Sequence, residues 1–282
     1  MTPDAPSPRS APEAGGVGAP LLLPLDLGPA ARGVFTTRLW PGDTASHHDP
    51  YRGLNLAAHV GDSPEHVQAA RRALELALGL GLGQGADGEV GPGVVAWMDQ
   101  VHSAVVATAY RAGGRGDVPR ADALILDRAD PRCEGVAGVG VLVADCVPLL
   151  LASQDGRVVA AVHAGRRGML DGVVAATLDE LERRGVGAGQ LWAAIGPCIC
   201  GQCYEVPEQM QAASLARESE CGSRTRWGTP GLDVAAGVQA QLARAGVEHV
   251  VRGGWCTWED ERFYSYRREP VTGRMAGVVL AG

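Results

Sequence analysis

Apolar positions along this chain fall mostly into short runs separated by turn residues. Runs rich in Val, Leu and Ala at 33–38, 93–98, 103–109, 138–144, 148–153, 158–163, 190–195, 247–252 and 275–280 predict strands. Three segments follow a helical period instead. After a cap at Asp62 or Ser63 and a first-turn Pro64, residues Val67, Ala70, Leu74 and Ala77 share one face and Gly79 ends the helix. Leu170, Val174, Leu178 and Leu181 define a second helix over 168–184, stopped by Gly185, and a third spans 233–245 before Gly246. Helices scattered among many strands, some joined as hairpins, predict an α/β (α+β) fold of mixed β-sheets sandwiched and flanked by helices.

Residues 1–24 are rich in Pro, Ala and Gly without any period, which predicts a disordered tail ahead of a single domain at 25–282. The Gly-rich stretch at 79–93 reads as a surface loop. The most apolar segment, Gly135 to Ala152, is broken by Asp145 and Pro148. It therefore reads as buried strands rather than a membrane span, which needs about 20 uninterrupted apolar residues. The formal charge of −7 supplies no basic face for nucleic acid. Seven cysteines, an odd number with no export signal ahead of them, favour reduced thiols and a cytoplasmic protein over a disulfide framework. No heptad or apolar interface stripe stands out, so a monomer is expected.

The chemistry concentrates in GVGVLVADCVPLLLASQDGRVVAAVHAGRRG. Asp155-Gly156 is a strong hairpin turn between two apolar runs. Centring the hairpin there pairs His163 with position 148 and leaves Cys146 two residues further on, about 7 Å along the strand. A thiolate and an imidazole at one sheet end can bind zinc, or act as a nucleophile with its base. The pair alone does not decide between them. His102, at the junction of two predicted strands, is a third donor, and three N or S ligands plus water is the open coordination of a catalytic zinc site. His59 is a rival ligand, whereas His47 and His48 read as solvent-facing.

A series of blocks carries a resemblance. In order they are Gly53-Leu54-Asn55-Leu56, His59-Val60-Gly61-Asp62, Gln100-Val101-His102, Ala121-Asp122-Ala123, Ala144-Asp145-Cys146-Val147-Pro148, His163-Ala164-Gly165, Ile195-Gly196-Pro197, Cys203-Tyr204-Glu205-Val206 and Phe263-Tyr264-Ser265-Tyr266-Arg267-Arg268. Over about residues 33–280 this resembles the laccase-domain family, the multicopper polyphenol oxidoreductase-like proteins that include purine nucleoside phosphorylases. The resemblance implies the laccase-domain-type sandwich, with His102, Cys146 and His163 as ligands of Zn2+ or, alternatively, copper. It departs at Arg166, where the family usually has Trp, and at Ser103, where it has Gly. The first change puts a cation in place of a flat apolar wall and bears on substrate preference.

The resemblance also implies phosphorolysis of adenosine, guanosine, inosine and methylthioadenosine, together with adenosine deamination, so purine nucleosides and phosphate are the expected partners. Asp145 and Gln100 are candidates for orienting the ligands or handling a proton, because metal-bound histidines generally need a second partner. Asn55 is a further catalytic candidate, and Arg38, Arg167 and Arg267 are candidates for holding phosphate. The run Cys198-Ile199-Cys200-Gly201-Gln202-Cys203 looks like a metal knuckle, but it is cramped and has no fourth ligand nearby in sequence. Tyr204 and Glu205 beside it read as more important. Three other functions stay open: a copper-dependent polyphenol oxidase, a metal-free thiol hydrolase using Cys146 and His163, and a non-catalytic factor in envelope maintenance.

Overall fold

The computed structural model describes residues 21–43, 46, 48–80, 93–111 and 118–282. In chain order its elements are β1 (Leu22–Leu25), β2 (Arg32–Thr36), α1 (Pro64–Ala77), β3 (Val94–Ala96), β4 (Val106–Thr108), β5 (Ala123–Asp127), β6 (Val136–Val143), β7 (Val147–Ser153) and β8 (Val158–Ala164). There follow α2 (Arg166–Asp171), α3 (Val173–Arg183), β9 (Leu191–Ile195), α4 (Glu208–Leu215), β10 (Gly222–Arg224), β11 (Pro230–Leu232), α5 (Val234–Arg244), β12 (His249–Arg252) and β13 (Met275–Leu280). One sheet has the order β1-β2-β13-β6-β3 and a second the order β12-β9-β7-β8-β5-β4, each mixing parallel and antiparallel neighbours.

Packing explains why the central strands carry little alternation. Leu150, Ala152, Val159 and Ala161 face the other sheet, where they meet Phe35, Val139, Val141 and Val279. Their neighbours Leu149, Leu151, Ala160 and Val162 face Met169, Val174, Leu181, Val238 and Leu242 from α2, α3 and α5. The far face of the first sheet is covered by α1 through Ala70 and Leu74, packed on Val34, Leu142 and Val278. The result is helix, sheet, sheet, helix. Strands buried on both faces read as continuous apolar runs rather than as period-two patterns.

The register at Asp155-Gly156 is the expected one: Pro148 pairs with His163. Ser63 caps α1, accepting from His66 N at 3.1 Å. Other expectations need correction. The helix expected over 168–184 is two helices, because Gly172 adopts φ 94°, a left-handed conformation that ends α2 before α3 begins. The expected tail is also too long, since β1 starts at Leu22 and pairs with β2. Pro24 is tolerated there because β1 is an edge strand. Residues 1–20, His47 and most of the Gly-rich loop (81–92) lie outside the described residues. Among those described, no helix is long and apolar enough to cross a membrane.

Leu150 tests the layer arrangement. It is fully buried, and its side chain lies against Gly33 and Gly277 of the facing sheet. Leu150→Ala is expected to cost about 2–5 kcal/mol of stability, read from the urea midpoint. A shift worth under about 1 kcal/mol would contradict close packing between the sheets.

Candidate metal centre and pocket

Three chain segments meet at one end of the second sheet. His163 is on β8, Cys146 sits in the turn between β6 and β7, and His102 lies in the segment before β4. Their donor atoms all lie within 4.8 Å of one another. Cys146 Sγ is 3.8 Å from His102 Nε2, and the two imidazoles meet edge to face with centroids 4.7 Å apart. Two tetrahedral zinc ligands of this kind stand about 3.6 Å apart, so the donor set fits zinc with little movement. Gly165 leaves the necessary room: a Cβ there would stand 2.9 Å from the His102 ring and 3.0 Å from the Cys146 sulfur.

The orienting group is Asp122, which sequence reasoning quoted within a block but did not single out. Its fully buried carboxylate accepts from the backbone N–H groups of Val101 (3.2 Å), His102 (2.9 Å) and Ser103 (2.6 Å), and from the Ser103 hydroxyl (2.7 Å). It also takes His163 Nδ1 at 2.8 Å, which leaves Nε2 as that ring's free donor for a metal. One carboxylate therefore fixes a ligand ring on β8 and the backbone of the segment carrying another. That segment needs holding, because His102 has φ 60°, a conformation that side chains other than glycine adopt at a cost.

Burial would raise the Asp122 carboxyl, but the hydrogen bonds from His163 and Ser103 outweigh it and hold the group well below the usual carboxylate range. Burial would likewise raise the Cys146 thiol, yet the charge of His163 and hydrogen bonds from both histidines bring it down to about 6. At His163 the desolvation that favours the neutral ring is overcome by Cys146 and Asp122, and its pKa rises to about 9. Burial thus opposes charge on both groups, while their mutual attraction and the Asp122 carboxylate favour the thiolate and the imidazolium.

Asp145 and Gln100 hold neighbouring segments in place. Asp145, with φ 87°, accepts from Thr257 Oγ1 at 2.6 Å and from Arg267 N at 2.7 Å. It ties two loops to the Cys146 turn. Gln100 clamps Leu142, donating to its carbonyl at 2.7 Å and accepting from its N–H at 2.8 Å. Asn55 is buried with its amide fully engaged by Ala57, Asp62 and Arg274 N.

A cavity of about 390 Å³ opens beside Cys146. Tyr204, Tyr266, Ile199, Val234 and Pro270 give it apolar and aromatic walls, and Arg166 and Arg267 bring two cations. The Arg267 guanidinium lies 4.9 Å from the Tyr204 ring centroid and donates to the Glu205 carbonyl at 3.1 Å. The structure does not bring Arg38 or Arg167 to this cavity. Arg38 stacks on Tyr264 and faces Glu269, while Arg167 is 73% exposed and turns to Asp171 at 3.5 Å. The neighbouring Arg166, noted in the sequence only as a departure from the family, lines the cavity instead. His48 and His59 are exposed, and neither belongs to a cluster of metal donors among the described residues.

A family model described as multi-copper polyphenol oxidoreductase laccase matches residues 32–282. The chain belongs to this family. It is 43% identical over 245 residues to a purine nucleoside phosphorylase of Streptomyces coelicolor, covering 87% of this chain and 93% of that protein. It is 34% identical to a purine nucleoside phosphorylase of Shigella flexneri, covering 82% and 87% of the two chains. The crystal structure of a Neisseria meningitidis protein of the family superposes with a TM-score of 0.75 at 31% identity, covering 92% of this chain and 98% of that one. A structure from Geobacillus stearothermophilus gives 0.73 at 28% identity, with 89% and 92% covered. The mixed-sheet sandwich is thus the family's fold.

Two measurements test the electrostatics. Asp122→Asn is expected to lower zinc affinity about 10–100-fold in competition with a chromophoric chelator, and an unchanged affinity would remove Asp122 from the orienting role. In metal-stripped protein, alkylation of Cys146 by iodoacetamide should rise with pH through about 6, because the thiolate accumulates above that value. An ordinary thiol would rise near pH ~8.5.

Proposed function

We propose that this protein is a zinc-dependent purine nucleoside phosphorylase that also deaminates adenosine. The observation that carries the reading is one cavity lined by two tyrosines, two arginines and Cys146, whose sulfur lies within 4.8 Å of the His102 and His163 donor atoms. Aromatic walls suit a purine face, and guanidinium pairs suit phosphate. The names of the relatives in Streptomyces and Shigella agree with this chemistry.

In phosphorolysis a phosphate oxygen forms a bond to the anomeric carbon as the bond from that carbon to the purine nitrogen breaks. Arg166 and Arg267 hold the phosphate against that carbon and stabilise its charge. Tyr204 and Tyr266 confine the base. Asp145 positions Arg267 through its backbone N–H, and Asn55 and Gln100 act as positioning residues through the backbone contacts described above. When bound to His102, Cys146 and His163, the metal supplies Lewis acidity that both reactions can use.

The copper oxidase alternative has the family description in its favour. Electron relay calls for further histidine-rich centres, and the one other donor cluster among the described residues contains no histidine.

Chromatography of adenosine and inosine incubated with and without phosphate tests the proposal. Phosphate-dependent release of free base is expected, with kcat/KM lowered at least about a thousandfold in Cys146→Ala. Substituting Arg166 and Arg267 by Ala should raise the KM for phosphate about tenfold or more, with a smaller effect on the nucleoside. Zinc-loaded protein that turns over no nucleoside, or a Cys146→Ala variant with full activity, would sink the reading.

A further inference from the structure

The cysteine run at 198–203 lacks a fourth donor only in sequence. The fold brings Cys256 and Glu259 to Cys200 and Cys203, and the four donor atoms lie within 4.8 Å of one another. We propose that Cys200, Cys203, Cys256 and Glu259 form a second zinc site, structural in kind, that fastens together two loops bordering the cavity.

The spacing is that of two facing knuckles. Cys200 and Cys203 are the first and last residues of one tight turn, closed by bonds from Cys203 N and Tyr204 N to the Cys200 carbonyl, both 3.0 Å. Cys256 and Glu259 repeat the same interval in a second turn, closed by Asp260 N to the Cys256 carbonyl at 3.0 Å. The turns are held side by side by an isolated parallel backbone pairing of residues 198 and 256, by Thr257 N to Cys198 O at 3.0 Å and by Cys200 N to Cys256 Sγ at 3.4 Å. On one tetrahedral zinc two sulfurs stand about 3.8 Å apart and a sulfur and a carboxylate oxygen about 3.5 Å, so each pair need approach by at most about 1.3 Å. All three cysteines are free thiols, and a soft sulfur-rich set with one carboxylate selects zinc over the hard cations.

Arg226 offsets part of the charge. Three thiolates and a carboxylate around Zn2+ leave about two negative charges in excess. The Arg226 guanidinium contacts Glu259 and donates to Cys203 Sγ at 3.0 Å, while its backbone N–H bonds Gln202 O at 3.1 Å. It reaches only two of the four donors from outside and so offsets part of that excess.

The location gives the site a purpose. Ile199 and Tyr204, which line the cavity, flank the first knuckle. Thr257, inside the second, donates to Asp145 in the Cys146 turn. A zinc here would set the distance between a cavity wall and the residue that supports the first metal centre. A site with four protein ligands leaves no open position, which suits that role and not catalysis.

Cobalt substitution in Cys146→Ala isolates this site, because the first centre then contains no sulfur. A near-ultraviolet thiolate-to-cobalt charge-transfer band in that variant is expected, as is its loss when Cys200→Ser and Cys203→Ser are added. Elemental analysis should find about two zinc ions per chain in the parent protein and about one in Cys200→Ser/Cys203→Ser. If the serine variant does not fold, the cobalt spectrum of Cys146→Ala decides alone. Absence of the band there, or thiol titration of the unfolded parent protein that reveals a disulfide among these cysteines, would overturn the proposal. Neither measurement depends on nucleoside turnover, so the site can stand or fall apart from the phosphorylase reading.

Discussion

The Asp122 carboxylate is the constraint on which the candidate metal centre at His102, Cys146 and His163 depends. Burying a charge is costly unless hydrogen bonds replace its water, and Asp122 is satisfied by three consecutive backbone N–H groups, a hydroxyl and an imidazole. Those donors come from two places that the chain must bring together: the segment around His102 and strand β8. Satisfying the carboxylate and assembling the ligands are therefore one event. Its position just before β5 makes it a fixed anchor, since β5 is buried along its whole length between β8 and β4.

Backbone strain is concentrated at the same place. Among the described residues, the non-glycine residues with positive φ are His102 and Asp145, one a metal-donor candidate and the other next to one. Each is held by hydrogen bonds: His102 through its N–H to Asp122, Asp145 through Thr257 and Arg267 N. Beside these two positions the His102 ring nitrogen and the Cys146 sulfur stand 3.8 Å apart. Stability is spent where the donors must converge, and the two-sided aliphatic core supplies it.

Much of this was legible in the sequence because it is local. The hairpin about Asp155-Gly156 fixes the pairing of Pro148 with His163 by counting residues, and the α1 and α5 stripes follow the helical period. What escaped was non-local or weakly patterned. Strand β5 lies in a run too short to stand out, and α4 buries only Ser214, so it has no apolar stripe to see. Strand β1 was hidden by Pro24, a breaker everywhere except on an edge. Asp122 looked like any aspartate between alanines, because its partners are about twenty and forty residues away. For the same reason Cys256 and Glu259 could not be joined to Cys200 and Cys203 by spacing, and Arg166 could not be preferred over Arg167 without knowing which face of α2 borders the cavity.

The hairpin register has a consequence for the order in which the chain assembles. Cys146 and His163 are brought together by a short-loop connection, a structure that closes in about 1–10 μs. His102 and Asp122 join only when β5 docks alongside β8 from a distant part of the chain, a slower non-local pairing. By these general rates the thiol and one imidazole would meet before the carboxylate that aligns them docks. Metal captured at that moment would be held by two donors and exchange quickly, whereas metal held after docking would be kinetically trapped. Loading of such a candidate site would in this way be tied to the completion of the sheet.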